Sequence, residues 1–459
     1  MLRKLINSLI PGKNRIEDFL AFPEGRRIYR EFHSLRREYM DQDALKVINR
    51  LNRHGYRSYL VGGCVRDLIL GKRPKDYDVV TTATPSQIRK VFSNSRAIGR
   101  RFKIVHVIFR GKIIEVSTFR SVPSHRLDKK KSKKSDVMLR RDNDYGTPRE
   151  DAARRDFTIN ALYFDPRNES IIDYTGGFED IKNGNISVIG DPDISFREDP
   201  VRMLRAAKFS AMLGFKLSPE CVKGIRRNKN EIEKASPSRM LEEYAKIFRT
   251  GRSSEIFTSF WETGLFQVLF PESVSAMDTS DQRSVSFMDT SIGKRLGVAD
   301  KMLSEREDLT TTIFIALFFV DLVKDVFLGH PIKNIINYVR HQIDPLSKRL
   351  QLSGKDKDRL MQIFISQRRF YTDHSQGKNK PEHFRNKIFF YEAFMVFKVH
   401  SITVQDEEAI QKAMFWEFGP RAKPPEPSKI VTTFIPKNYN KKNKDRPRRP
   451  PPRNRDSEN

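Results

Sequence analysis

Cysteine is nearly absent: Cys64 and Cys221 are the only two in 459 residues, far apart and outside any CxxC spacing. That excludes a disulfide framework and a zinc knuckle, and it fits a reducing cytoplasm. Long apolar runs are missing as well. The most apolar stretch, IFIALFFV from Ile313 to Val320, lies between three threonines and Asp321. It falls well short of the roughly 20 residues that span a bilayer and is predicted to be a core helix, so no membrane partner is expected. The opening MLRKLINSLIPGKN is basic, but Asn7 and Ser8 break its apolar run and no small-residue cleavage site follows. It reads as a tail or a weak amphipathic turn. A Walker A pattern is also lacking, since no Gly-Lys pair is followed by Ser or Thr.

What is abundant is positive charge. The formal net charge is +28, an excess that suits a polyanionic partner, nucleic acid before an acidic membrane. The length allows about three domains. Residues 1–41 read as a basic N-terminal arm, with Arg26, Arg27, Arg30, Arg36 and Arg37 among Tyr29 and Phe32. Residues 42–186 alternate short strands and helices, which predicts a small mixed α/β sheet. The first helix has Ala44, Val47, Ile48 and Leu51 at i, i+3, i+4 and i+7, an Asp41 or Asp43 cap and a Gly55 stop.

Helical periodicity then takes over, with a neck at 187–250 and a body at 251–420. The lysine-rich 123–142 and the gap 372–381 read as loops. Residues 421–459 carry twelve Lys or Arg against four Asp or Glu, with eight prolines. They are predicted to be disordered and electrostatically sticky.

The chemistry concentrates in SYLVGGCVRDLILGKRPKDYDVV, from position 58. Asp76 and Asp78, two apart in a segment that reads as a strand, would project from one face and repel each other unless a cation lies between them. Carboxylate oxygens suit Mg²⁺, whose other ligands can be water and phosphate oxygens. Glu115, mid-strand among Ile113, Ile114 and Val116, is the third carboxylate expected. Gly62 and Gly63 provide a turn without Cβ atoms, so backbone N–H groups can come close to a phosphate. Taken singly these signals are weak, because a glycine pair is usually a turn and an isolated Asp-x-Asp usually a solvated strand end.

Three ordered stretches carry a resemblance. LVGGCVRDLILGKRPKDYDVVTTATPSQIRKVF is similar to the head of the class II nucleotidyltransferases, the family of tRNA CCA-adding enzymes and bacterial poly(A) polymerases. RRDFTINALYFD (Arg154 to Asp165) and REDPVRMLRAAKFSAMLGF (Arg197 to Phe215) resemble its next two motifs. The resemblance covers about residues 42 to 250. It implies an α/β head followed by an all-α neck and body.

It also implies in-line attack by an RNA 3′-hydroxyl on a nucleotide α-phosphate, with release of pyrophosphate. Two Mg²⁺ ions, with Mn²⁺ as the alternate, would be held by Asp76, Asp78 and Glu115. Gly62, Gly63 and Arg66 would cradle the phosphates, with Asp67 holding Arg66 or the turn. Asp156 would meet the ribose hydroxyls, and Arg155 and Asn160 would reach the phosphates or support the site. In the third motif Asp199 and Arg202 would read the base, and Glu198 would orient Arg202 or Arg205. An acceptor beside a donor matches the edges of adenine and cytosine. As residues alone, this helix would equally make a salt-bridge ladder, and Arg154 to Asp165 a charged helix start packing Phe157, Ile159 and Leu162 inward.

The downstream SPSRMLEEYAKIF, with a Ser-Pro-Ser cap, would buttress the base-reading helix, and no catalytic role is expected of Arg239. AIGRRFKIVHV (Ala97 to Val107) resembles the poly(A) polymerase branch, as does the basic tail. Together they imply addition of AMP from ATP to single-stranded RNA 3′ ends, with CCA or A addition to tRNA as the alternative. RNA-decay or RNA-chaperone proteins are the further partners implied. Two departures from the family pattern are the lysine-rich loop and Cys64, which stands where a small neutral residue is usual. No His-Asp pair occurs among the nine histidines, so an appended phosphohydrolase domain is not expected.

Overall fold

The computed structural model describes residues 25–99, 103–121, 144–277, 286–371 and 381–418. Arg100, Arg101 and Phe102, the lysine-rich loop, the gap at 372–380 and the tail beyond 418 lie outside the described residues. By internal contacts the chain divides into two units: 1–293 with 346–351, and 294–345 with the remainder from 352.

The first unit is built on one eight-stranded sheet: β1 (Arg26–Ile28), β2 (Ser58–Val61), β3 (Asp78–Thr81), β4 (Ser95–Ile98), β5 (Ile104–Phe109), β6 (Lys112–Thr118), β7 (Leu162–Asp165) and β8 (Ser170–Asp173). The strand order is β1-β8-β7-β2-β3-β6-β5-β4. Every neighbouring pair is antiparallel except β3 and β6. β2 is buried at all four positions. Its apolar run is thus explained by covering on both faces rather than by alternation. Tyr59, Val61, Val80, Phe119 and Tyr163 form a core cluster on the sheet.

The helix Gln42–Arg53 starts where expected: the Asp41 carboxylate accepts from the backbone N–H groups of Asp43 and Ala44, and Ala44, Val47, Ile48 and Leu51 are buried. Arg26–Ile28, inside the stretch read as a basic arm, pairs with β8 and belongs to the sheet.

After the head come Pro192–Glu198, the neck helix Val201–Leu213 and Pro237–Phe248. Gly214, at φ +71°, ends the neck helix in the left-handed region that favours glycine. The Ser236 side chain makes no capping bond to the helix that follows. Its hydroxyl instead lies 2.8 Å from that of Ser238. The expected anchoring of this helix to the neck is present nonetheless: Lys208 and Glu243, both buried, pair at 2.6 Å.

The second unit is helical. The apolar run forms Thr311–Phe319, capped by Thr310, with Ile313, Phe314, Leu317 and Phe318 buried. Phe370, Phe384, Phe390 and Trp416 pack ring to ring beside it in the same unit. Among the described residues no helix is long and apolar enough to cross a membrane.

Candidate active site

The β3–β6 pairing brings two of the three acids side by side. Asp78 and Glu115 are direct register partners on parallel strands, although 37 positions separate them in the chain. Asp76 lies in a bend just before β3 rather than in the strand, and it is exposed. The shared strand face expected for Asp76 and Asp78 is therefore not built. The three carboxylates nonetheless act on one another. Burial pushes the Asp78 carboxyl up to about 6, and the charges of Glu115 and Asp76 push in the same direction, against Arg155. The Glu115 carboxylate also faces His106, its neighbour on β5, at 3.5 Å.

Hard, all-oxygen donors with unrelieved mutual repulsion fit a divalent cation by their chemistry. Among the described residues no three His, Cys, Asp or Glu side chains converge closely enough to hold a metal ion by themselves. The remaining ligands of such an ion would come from water and phosphate. Cys64 sits next to this group without joining it. Its thiol donates to the Val61 carbonyl at 3.3 Å, and burial, with Asp78 adding, pushes it up to about 12.

The glycine turn stands beside the acids. Gly62 has φ +79° and caps the helix Gly63–Ile69. A Cβ at Gly62 would come within 3.2 Å of the Arg155 guanidinium. Glycine is needed there both for its backbone angle and for the close approach.

From this turn a continuous chain of polar contacts runs to the neck helix. Asp67 accepts from Arg66 at 2.7 Å and 2.9 Å. Arg66 also donates to Asn160 Oδ1 at 2.6 Å, and Asn160 Nδ2 donates to Asp156 at 3.2 Å. Arg205 donates to the other Asp156 oxygen at 2.8 Å. Burial alone would raise the Asp156 carboxyl, but Arg205 and Arg202 hold it below its usual value. The RRDFTINA segment is thus the bridge between phosphate turn and neck. Its middle is a short 3-10 turn, Thr158–Asn160, that leads into β7.

Arg155 turns the other way, onto Asp151 at 3.1 Å and the Asn160 carbonyl at 3.3 Å. Burial works against its charge and Asp151 more than restores it, so its pKa is raised.

The third motif departs from its expected pairing. Asp199 is clasped by both terminal nitrogens of Arg239, at 2.9 Å and 2.8 Å. Arg202 is buried and donates to Ser195 Oγ at 2.6 Å and to the Arg154 carbonyl at 3.0 Å, with Glu198 3.7 Å away. The side chains of Asp199 and Arg202 therefore engage different partners, while the Glu198–Arg202 rung of a ladder is present. Glu198 does lie against Arg202, as expected. Arg239, given no role from sequence, holds the carboxylate assigned to base reading. The cue available was an arginine directly after a helix-opening Ser-Pro-Ser, yet nothing local pointed to a partner 40 residues away.

If Asp199 reads a base edge, its clasp by Arg239 fixes its direction. Arg239→Ala is then expected to lower the preference for the correct nucleotide by about tenfold or more, while the melting midpoint shifts little. Parallel rate measurements with ATP, CTP, GTP and UTP check this.

An eight-stranded mixed sheet with acids in register, a glycine turn and a helical neck stand together in the first unit. Residues 58–187 match the poly A polymerase head domain, and residues 214–277 match the probable RNA and SrmB-binding site of polymerase A. Residues 58–187 and 214–277 are thus similar to the head and the RNA-binding region of the poly A polymerases. Poly(A) polymerase I of Escherichia coli is 46% identical over 261 residues, covering 56% of this chain and 56% of that protein. Its counterpart in Haemophilus influenzae is 40% identical over 280 residues, 61% of each chain. A CCA-adding enzyme of Geobacillus thermodenitrificans is 37% identical over 224 residues, 49% of this chain and 53% of that one.

The chain thus spans little more than half the length of the curated relatives it matches. Among solved structures, the Bacillus stearothermophilus CCA-adding enzyme in complex with CTP aligns with a TM-score of 0.55 and 26% identity, covering 80% of this chain and 79% of that one.

Proposed function

We propose that the chain transfers AMP from ATP to RNA 3′ ends without a template, releasing pyrophosphate. The observation that carries this reading is the in-register pair Asp78 and Glu115, with Asp76 adjacent, beside the Gly62–Gly63 turn. The nearer likeness to poly(A) polymerases, 46% against 37% for the CCA-adding relative, favours polyadenylation over CCA addition.

Asp76, Asp78 and Glu115 would hold the divalent ions, which when bound neutralise charge on the triphosphate and sharpen the attacking hydroxyl. The remaining work belongs to the chain's own side chains. Gly62, lacking a Cβ, lets the triphosphate approach the backbone. Arg66, fixed by Asp67 and Asn160, and Arg155, fixed by Asp151, present cations to it without reorganising. Asp156 already accepts from the Phe157 N–H, from Asn160 and from two nitrogens of Arg205, so meeting the ribose hydroxyls would need one of these contacts to yield. Glu198, Asp199, Arg202 and Arg205 line the path to the base. The observed partners of Asp199 and Arg202 mean that base reading would need one of them to exchange a protein contact for a nucleotide contact.

The test offers the purified protein Mg²⁺ with ATP or CTP separately, on a plain RNA primer and on a tRNA lacking its 3′ CCA. Long A tracts on the plain primer, with CTP ignored, are expected. Two C additions followed by one A, confined to the tRNA, would move the chain to CCA addition.

A further inference from the structure

A recess of about 790 Å³ lies beside β3 and is bordered by the loop that leads into the carboxylates. Tyr77, the residue between Asp76 and Asp78, is buried and forms part of its wall. The Lys112 ammonium stands 5.4 Å from the Tyr77 ring, and the Tyr77 hydroxyl donates to the Tyr39 carbonyl at 3.5 Å. Lys112 is neutralised by Asp41. Asp43 is likewise taken by Lys46, at 2.9 Å.

Three other cations of the wall, Lys72, Arg73 and Lys75, form no ion pair among the described residues, and Glu38 is the only lining carboxylate left without one. All three follow Gly71 in a loop without helix or strand, and all three are exposed. At the rim the Tyr39 ring is 66% exposed. At that exposure the Tyr39 ring is open to stack against an incoming base.

We propose that this recess and the Tyr39 ring are a docking site for single-stranded RNA, holding the stretch upstream of the reacting 3′ end; this rests on RNA being the primer. Cations placed in succession along one loop suit successive phosphates of a chain rather than one triphosphate. An exposed aromatic beside them offers a stacking platform for a base of any identity. The loop ends at Asp76 and Asp78, so a strand lying along it leads into the carboxylates. The site therefore gives the head its own grip on RNA, independent of the neck and body.

The test measures binding of a fluorescein-labelled oligoadenylate of about 15 nucleotides to the full chain, without divalent ions, across a salt series. Extension of a trinucleotide primer, whose two internal phosphates can make only part of these contacts, is followed alongside. In Arg73→Ser/Lys75→Ser the dissociation constant is expected to rise about tenfold at low salt, and the slope of log affinity against log salt to fall by about 1.4. Tyr39→Ala should weaken binding about five- to tenfold with the slope unchanged. Trinucleotide extension should change less than oligoadenylate binding, and the melting midpoint should stay as in the unmodified protein.

Binding by both variants that tracks the unmodified protein across the series would overturn the site. So would a variant-sensitive affinity for polyglutamate with RNA binding unaltered, which would assign the recess to an acidic protein. Absence of incorporation by the unmodified protein counts against the adenylyl-transfer reading alone, and the binding comparison decides the recess without it.

Discussion

Asp78→Asn is expected to cut nucleotide incorporation by about a thousandfold or more and, in metal-free protein at neutral pH, to raise the melting midpoint by a few degrees. The two effects have one cause. Asp78 is held largely out of water against Glu115 and close to Asp76, so its carboxyl is raised from 3.8 to about 6. A carboxyl whose folded pKa is raised opposes folding once it ionises, and the penalty enters as pH climbs from about 4 through about 6. The amide carries no such penalty. Its advantage should therefore be absent near pH 4 and full above pH 6, with a size of about 3 kcal/mol. Added Mg²⁺ should stabilise the unmodified protein and close the gap. Thermal melts of both proteins at pH 4, 5, 6 and 7, with and without Mg²⁺, check the sign. A variant less stable than the unmodified protein at pH 7 would mean that the repulsion among these acids is already relieved.

The candidate site could be picked out in the sequence because its residues fall in short windows. Asp76 and Asp78 flank one tyrosine, and the glycine pair directly precedes a helix; both are properties of short windows. Pairing across the sheet leaves no such mark. Nothing within either strand says that Asp78 will sit opposite Glu115 on the parallel pair of the eight-stranded sheet, because register is fixed by which apolar faces meet.

β7, at the end of RRDFTINALYFD, was hidden under the reading of that stretch as a helix start, and β8 beyond it was not singled out, for a related reason. Both are buried at every position, so the alternation that announces a strand is missing. The partners of Asp199 and Asp156 were hidden by distance along the chain, 40 and 49 residues to Arg239 and Arg205. Charge at helical spacing within REDPVRMLRAA suggested neighbours; Glu198 and Arg202 do pair, but Asp199 and Arg205 are drawn to other elements.

The second large effect is expected at Asp151, which has no place in the three motifs as read from sequence. Its side chain is buried and serves four donors. It accepts from Arg155 at 3.1 Å and 3.0 Å, from the Tyr163 hydroxyl at 2.9 Å and from the Arg120 backbone N–H at 3.3 Å. Tyr163 is fully buried, and the Arg155 guanidinium lies 5.6 Å from its ring. Asp151→Ala would leave a largely buried guanidinium and a buried phenol without their acceptor. Removing one partner from such a cluster costs about 3–5 kcal/mol.

The loss reaches the active site, because Arg155 stands 3.2 Å from the position a Gly62 Cβ would take and one of its donors rests on the Asn160 carbonyl. Once released, Arg155 would no longer be fixed beside the phosphate turn. Urea unfolding and the KM for ATP, measured on Asp151→Ala and Asp151→Asn, separate the two roles. The amide of the second variant keeps an acceptor oxygen but no charge, so it should recover part of the stability while leaving the KM for ATP raised. Equal stability loss in both variants would show that the carboxylate charge, rather than its geometry, holds Arg155 in place.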